Sequence, residues 1–238
     1  MAMRKHFKSR HGQVLNYADC GTPAGTTLIW IHGLSMSLDY WEGIWQNFSD
    51  FRNVRIDVPG HGGSEPRVEG LELEQFGHDI IDLVQHLQLQ RVVLLGHSLG
   101  GMIALSAALD LPELLGLVLM STSSRVSSRA REGWRRSAQV ARKQGQEAWA
   151  KIQEMVAESQ IEKEMPKLGT LPALILQGDA DQQTPVRAGE ILRDQLPKGQ
   201  LQVFRAGHNL LPESPEALRC CAQWLSSQGF AQPSASKL

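Results

Sequence analysis

The chain has 238 residues, 42% of them hydrophobic, with 24 Lys+Arg balanced by 25 Asp+Glu for a net charge of −1. That length suits one large α/β domain or two small ones, with enough chain to bury a substantial core. The near-zero charge removes any global attraction to nucleic acid or to an anionic membrane, and no apolar run is long enough to span a bilayer.

Three cysteines, Cys20, Cys220 and Cys221, are too few for a disulfide framework and fit a reduced, cytoplasmic setting. No Cys or His spacing suits a metal, and neither GxGxxG nor a P-loop is present, so no metal or nucleotide cofactor is expected. The basic start MAMRKHFKSRHG lacks an apolar region behind it, which argues against a secretory signal. The end, Ser236-Lys237-Leu238, matches a peroxisomal address if the source is eukaryotic, while Met1-Ala2 and the final Lys-Leu also fit ends left by cloning.

In chain order, Phe7–Arg10 and Val14–Tyr17 flank His11-Gly12 and read as a hairpin. Strands are then predicted at Thr26–Ile31, Asn53–Val58, Arg91–Leu95, Leu115–Met120, Ala173–Leu176 and Leu201–Phe204. Three of these are nearly continuous apolar runs, as expected of strands covered on both faces. Between them, Leu71–Leu87 sets Phe76, Ile80, Leu83, Val84 and Leu87 on one stripe at helical spacing. Met102–Leu111 predicts a buried helix, and Val186–Leu196 and Pro215–Leu225 predict amphipathic ones, the last with Ser214 as N-cap. Strands alternating with helices predict an α/β fold with a mainly parallel central sheet and helices on both faces.

The stretch from Arg125 to Lys167 breaks this alternation. It carries 10 Lys/Arg against 6 Glu, and Trp149, Ile152, Met155 and Val156 fall at the spacing of an amphipathic helix. It reads as a helical insertion between two strands. The expected organisation is a core from residues 1–122 and 171–230, a cap from 123–170, and a flexible tail from 231–238. The basic surplus is either a solvated helix face or an anion-attracting rim over a site.

Gly96-His97-Ser98-Leu99-Gly100 is a GxSxG motif set where a strand meets a helix. The serine of such an elbow sits in a strained turn, and glycines let strand and helix crowd around it. The free N–H groups at the helix start face the place where an oxyanion would form. A serine needs a base to remove its proton, and in this architecture acid and base follow it in that order. Of eight histidines only His208 lies after Ser98, in a loop behind the last predicted strand. The acid belongs at the end of the preceding strand, where both Asp179 and Asp181 stand.

Four motifs in order, Ile31-His32-Gly33-Leu34, Asp57-Val58-Pro59-Gly60-His61-Gly62-Gly63-Ser64, GHSLGG and GDADQQTP, followed by GHNLLPESPE, lie at predicted strand ends. Across nearly its whole length the chain resembles the α/β-hydrolase superfamily, and within it the small esterases and enol-lactonases of bacterial type. The resemblance implies a GxxDxxxP pattern on Gly178, Asp181 and Pro185, which selects Asp181 as the acid. It also implies an oxyanion hole from the backbone N–H groups of Leu34 and Leu99, and structural turns at His32-Gly33 and Asp57–Ser64. The 48 residues from 123 to 170 make a shorter cap than the family's usual one; its Trp134, Trp149, Met155 and Ile161 are either lid or pocket residues or a hydrophobic seam holding the cap to the body, and Leu210, beyond the cap, is a further candidate pocket residue.

The expected activity is therefore hydrolysis of a small carboxylic ester or lactone by Ser98, His208 and Asp181, with no cofactor and no nucleic-acid or membrane partner. Two other readings compete. One is C–C hydrolysis or elimination on an acidic substrate, drawing on cap arginines such as Arg129 and Arg136. The other is a ligand-binding receptor on the same fold, with slow turnover or none.

Overall fold

Alternating strands and helices arrange themselves, in the computed structural model, around one eight-stranded sheet; it describes residues 3–21, 25–67, 69 and 71–230. The strands are β1 (Arg4–Lys8), β2 (Val14–Gly21), β3 (Thr27–Ile31), β4 (Arg52–Ile56), β5 (Val92–His97), β6 (Leu114–Met120), β7 (Ala173–Gly178) and β8 (Gly199–Phe204). Their spatial order is β1-β2-β4-β3-β5-β6-β7-β8. The β1–β2 and β2–β4 pairs are antiparallel and every other pair is parallel. The helices are α1 (Leu73–His86), α2 (Leu99–Ala108), α3 (Ser128–Lys143), α4 (Glu147–Glu158), α5 (Val186–Gln195), the short α6 (Leu210–Glu213) and α7 (Pro215–Ser227).

Period-2 alternation divides the parallel strands between two cores. Ile29, Ile31, Leu94, Leu117, Leu119 and Ile175 face α1, α2 and α5 on one side. Leu28, Trp30, Val93, Leu95, Val118 and Leu176 face α7 and the single turns at Leu38–Trp41 and Trp45–Phe48 on the other. Both faces are thus covered, as the apolar runs predicted. Helix α7 begins as expected, with Ser214 Oγ accepting from the Ala217 N–H ahead of Pro215 at the first helical position.

Most boundaries shift by a residue or two from the sequence expectation, and three of the shifts have a clear local reason. The hairpin turn comes earlier, because Ser9 and Gln13 pair across it, so β1 ends at Lys8 rather than Arg10. Strand β7 runs on through Gly178, which stays paired with Phe204 of β8. Helix α2 starts at Leu99 instead of Met102, because Gly100 and Gly101 are helical where propensity places a loop.

Between β6 and β7, α3 and α4 pack on each other, and Arg125 and Gln160 form an antiparallel bridge across the base of this segment. Arg142 ties the two helices by reaching both Glu147 and Glu154. Among the described residues no helix is long and apolar enough to cross a membrane. The tail expected at 231–238, with its Ser236-Lys237-Leu238, and Met1-Ala2 lie outside the described residues.

One buried carboxylate organises the loops at the C-terminal end of the sheet. Asp57 follows β4 and is fully buried. Its Oδ1 accepts from the Leu38 N–H at 2.6 Å, and its Oδ2 accepts from Asn16 Nδ2 at 2.6 Å and the Gly63 N–H at 2.8 Å. Three chain segments meet on this group, so Asp57→Ala leaves buried donors in all three without a partner. We expect the variant to lose about 3–5 kcal/mol of stability, read from the denaturant midpoint.

Candidate active site

Ser98 occupies the one-residue junction between β5 and α2, with φ 53° and ψ −118°. A side chain at positive φ is strained, so the surroundings must hold it there. They do so from two sides. The Ser98 N–H donates to the Met120 carbonyl at 2.9 Å, and Thr122 Oγ1 donates to the Ser98 carbonyl at 2.6 Å. The helix can approach this closely only because residue 100 is glycine: a Cβ there would lie 2.1 Å from the Ile31 carbonyl oxygen.

His208 lies in the loop after β8, and its Nε2 is 3.0 Å from Ser98 Oγ. Its Nδ1 is 2.8 Å from Asp181 Oδ2, across 27 residues of sequence. With a carboxylate beside Nδ1, that nitrogen carries the proton, which leaves Nε2 free to accept from the serine hydroxyl. The other Asp181 oxygen accepts from the Gln183 and Thr184 N–H groups at 2.9 and 2.8 Å. Burial pushes the Asp181 carboxyl up, but the hydrogen bonds from His208 and these amides outweigh it and hold its pKa below the ordinary value. Asp179 does something else: it is exposed and accepts from the Ala206 N–H at 3.3 Å. The structure therefore brings Asp181, and not Asp179, to His208.

Two further histidines fix the backbone here: His32, which the resemblance gives as part of a structural turn, and His97, which the sequence left without a role. His97 is buried, and its Nε2 lies 2.8 Å from the His208 carbonyl oxygen. A carbonyl only accepts, so His97 Nε2–H is the donor, holding the His208 loop from beneath. His32 is also buried; its Nε2 accepts from the Val58 N–H at 3.2 Å, so its proton sits on Nδ1, which donates to the Gly33 carbonyl at 2.8 Å. Because a trans peptide sets its C=O and N–H in opposite directions, this bond also aims the N–H of Leu34. A Cβ on Gly33 would lie 3.2 Å from Ser98 Cβ, which measures how close that peptide comes to the serine. Burial pushes the pKa of both histidines down to about 4, with His61 adding to the effect on His32 and the His208 carbonyl opposing it on His97.

A cavity of about 120 Å³ opens over Ser98. Trp134 is in its wall, as the sequence expects, with Leu34 and Leu99 of the expected oxyanion hole, and together with Met102, Val126 and Val156, which were not among the expected pocket residues. Trp149, Met155, Ile161 and Leu210 are not. Trp149 packs edge-on against His61 at 5.7 Å, while Met155 and Ile161 are buried in the core on the α1/α2 side. Leu210 lies in the opposite core, beside α7. Helical spacing marked the buried face of α4 but could not tell a core contact from a cavity wall. Arg129 and Arg136 are exposed and outside the cavity wall. Among the described residues no cluster of His, Cys, Asp and Glu could hold a metal ion.

The alpha/beta hydrolase fold family matches residues 26–139. The chain is similar to 3-oxoadipate enol-lactonase 2 of Acinetobacter baylyi, with 25% identity over 89% of this chain and 94% of that protein. It is also similar to the 2-succinyl-6-hydroxy-2,4-cyclohexadiene-1-carboxylate synthase of Citrobacter koseri, 36% identical over 43% of this chain but only 40% of that protein. Among solved structures, a thermophilic esterase from Thermogutta terrifontis superposes with a TM-score of 0.83 and 26% identity over 95% of this chain and 99% of the other.

The two neutral buried histidines give the fold an acid sensitivity. In the unfolded chain each takes up a proton near pH 6.5, but in the folded protein each stays neutral until about pH 4. Between those values the unfolded state binds more protons, so stability is full above pH 6.5 and declines as pH falls toward 4. Each histidine accounts for a loss on the order of 3 kcal/mol over that window. Denaturant titrations at a series of pH values should show the decline, and His97→Gln should flatten it.

Proposed function

This chain belongs to the α/β-hydrolase superfamily and is similar to its esterases and enol-lactonases, and from that premise we propose that it is a serine hydrolase cleaving a small carboxylic ester or lactone through an acyl-enzyme. The observation that carries this reading is the unbroken hydrogen-bond chain from Ser98 Oγ through His208 to Asp181.

The chemistry follows from the roles those contacts permit. Ser98 Oγ attacks the carbonyl carbon while its proton passes to His208 Nε2, and the ionised Asp181 stabilises the imidazolium that forms. The N–H groups of Leu34 and Leu99 receive the negative charge on the tetrahedral oxygen, already fixed before that charge develops. Collapse breaks the bond to the alkoxy group, which leaves as an alcohol with the proton from His208. Water then gives its proton to His208 and attacks the acyl carbon; a second collapse returns the proton to Ser98 and releases the acid. For a lactone, alcohol and acid remain in one hydroxy-acid molecule.

In this reading residues 1–122 and 171–230 supply the machinery and residues 123–170 cap it. The thiols of Cys20, Cys220 and Cys221 are free, which fits a cytoplasmic setting.

The test is hydrolysis of p-nitrophenyl esters from acetate to octanoate by the wild type and by Ser98→Ala. Turnover should favour the short chains, and Ser98→Ala should lower kcat by about 10⁴-fold or more, as should Asp181→Asn. Undiminished turnover by Ser98→Ala would overturn the mechanism. Tight binding without turnover would move the protein to the receptor reading.

A further inference from the structure

His208 can serve Ser98 only if its loop holds still, and that loop has no regular secondary structure between β8 and α6. Its backbone groups are instead held one by one. The Ala206 N–H donates to Asp179 Oδ1 at 3.3 Å, and the Ala206 carbonyl accepts from the Ala180 N–H at 3.0 Å. The His208 carbonyl accepts from His97 Nε2 at 2.8 Å. Two further points, one on each side of His208, both belong to Glu213. Its Oε2 accepts from the Gly207 N–H at 2.5 Å, and its own N–H donates to the Asn209 carbonyl at 3.2 Å.

We propose that Glu213 is a positioning residue for the reaction: by clamping the Gly207 amide, its carboxylate sets the His208 imidazole between Ser98 and Asp181. The proposal rests on the hydrolase reading above and adds to it a residue outside the chain from Ser98 to Asp181.

Three observations separate Glu213 from an ordinary surface carboxylate. Its side chain is exposed, yet its partner is a main-chain amide rather than a lysine or arginine. A charge-assisted bond of this kind is short and roughly twice as strong as a neutral one. Next, the base from which the carboxylate reaches is fixed. Leu210 and Leu211, in the same single turn, are buried in the core beside α7. Finally, residue 207 has no side chain. A Cβ there would stand 3.0 Å from Glu213 Oε2, and a Cβ on Gly178 would stand 2.4 Å from the Gly207 carbonyl oxygen. Gly207 does not sit at positive φ, so its missing side chain serves close approach rather than backbone freedom. The residue before His208 is thus gripped between the end of β7 and the Glu213 carboxylate.

That grip matters because both ring nitrogens of His208 are engaged, at 3.0 Å from Ser98 Oγ and 2.8 Å from Asp181 Oδ2. A turn of the preceding peptide shifts both contacts at once, and a misplacement of about 1 Å costs on the order of a hundredfold in rate. Neither Gly207 nor Glu213 is in the wall of the cavity over Ser98. The clamp therefore acts on the chemical step and leaves substrate binding alone.

The experiment measures kcat and KM on p-nitrophenyl acetate, and the rate at which a p-nitrophenyl phosphonate labels Ser98, in Glu213→Ala and Glu213→Gln. Alanine removes the acceptor, whereas glutamine keeps an acceptor oxygen at the same reach. Glu213→Ala should lower kcat and the labelling rate together by about tenfold or more, with KM and the denaturant midpoint near wild type. Glu213→Gln should recover most of both. An unchanged kcat in Glu213→Ala, a change confined to KM, a loss matched by a collapse of the midpoint, or a loss that glutamine fails to restore would overturn the proposal and leave the hydrolase reading intact. If the wild type neither cleaves the ester nor takes the label, the hydrolase reading fails. The downfield proton resonance of His208 Nδ1–H, which reports its hydrogen bond to Asp181, then decides the clamp by itself. Its loss in Glu213→Ala and return in Glu213→Gln upholds the proposal, and any other pattern ends it.

Discussion

The whole site hangs on the crossing of α2 over the ends of β3 and β5. Residue 98 turns the chain from strand to helix in a single left-handed step, and the helix then runs against the Ile31 carbonyl with no side chain at Gly100 between them. Strand β3 and strand β5 are neighbours in the sheet, so the loop after β3 and the loop after β5 are brought side by side by the same pairing. That is why Leu34 and Ser98, separated by 64 positions in the chain, share one cavity wall. The strain at Ser98 is sustained by what surrounds it, since Met120 and Thr122 at the end of β6 hold its amide and carbonyl from the other side.

Around this crossing, the backbone groups nearest the serine are held by neutral buried side chains. His32 and His97 each donate one hydrogen bond to a carbonyl, and each is kept uncharged by burial. A charged group at either place would need a buried counter-charge to offset its desolvation. A neutral imidazole can orient a peptide without that conflict. Asp181 is the exception, and the two amide donors on its second oxygen explain how a buried carboxylate stays ionised there.

Much of this was legible in the sequence. The apolar runs gave the strands because both faces of the sheet are covered, and the order of motifs located Ser98 and His208, the latter by elimination among eight histidines. Spacing alone left Asp179 and Asp181 open; the family resemblance chose between them, and geometry brings the same residue to His208. The pocket was less legible. Helical periodicity identifies which residues of α4 are buried, but a buried methionine in the core and one in a cavity wall produce the same pattern, so Met155 stayed open between pocket and seam until the structure put it in the core, and Val126 was missed. The roles of His32 and His97 were hidden for a related reason. A side chain that acts by holding someone else's backbone has no periodicity of its own, and only the partner carbonyl reveals it.

The arginines follow the opposite physical logic to the histidines. Arg129 and Arg136 stood out in the sequence because they belong to a dense basic run, yet both are exposed on the outer side of α3. Arg125, Arg131 and Arg187 come from three different segments, before α3, on it, and at the start of α5, and converge only when β6 and β7 set those segments next to each other. Charge at a rim remains partly hydrated, so it can be gathered without the full desolvation cost of a buried charge. The result is a division by depth: neutral imidazoles hold the backbone nearest Ser98, and the guanidinium groups stand further out, where solvent still reaches them.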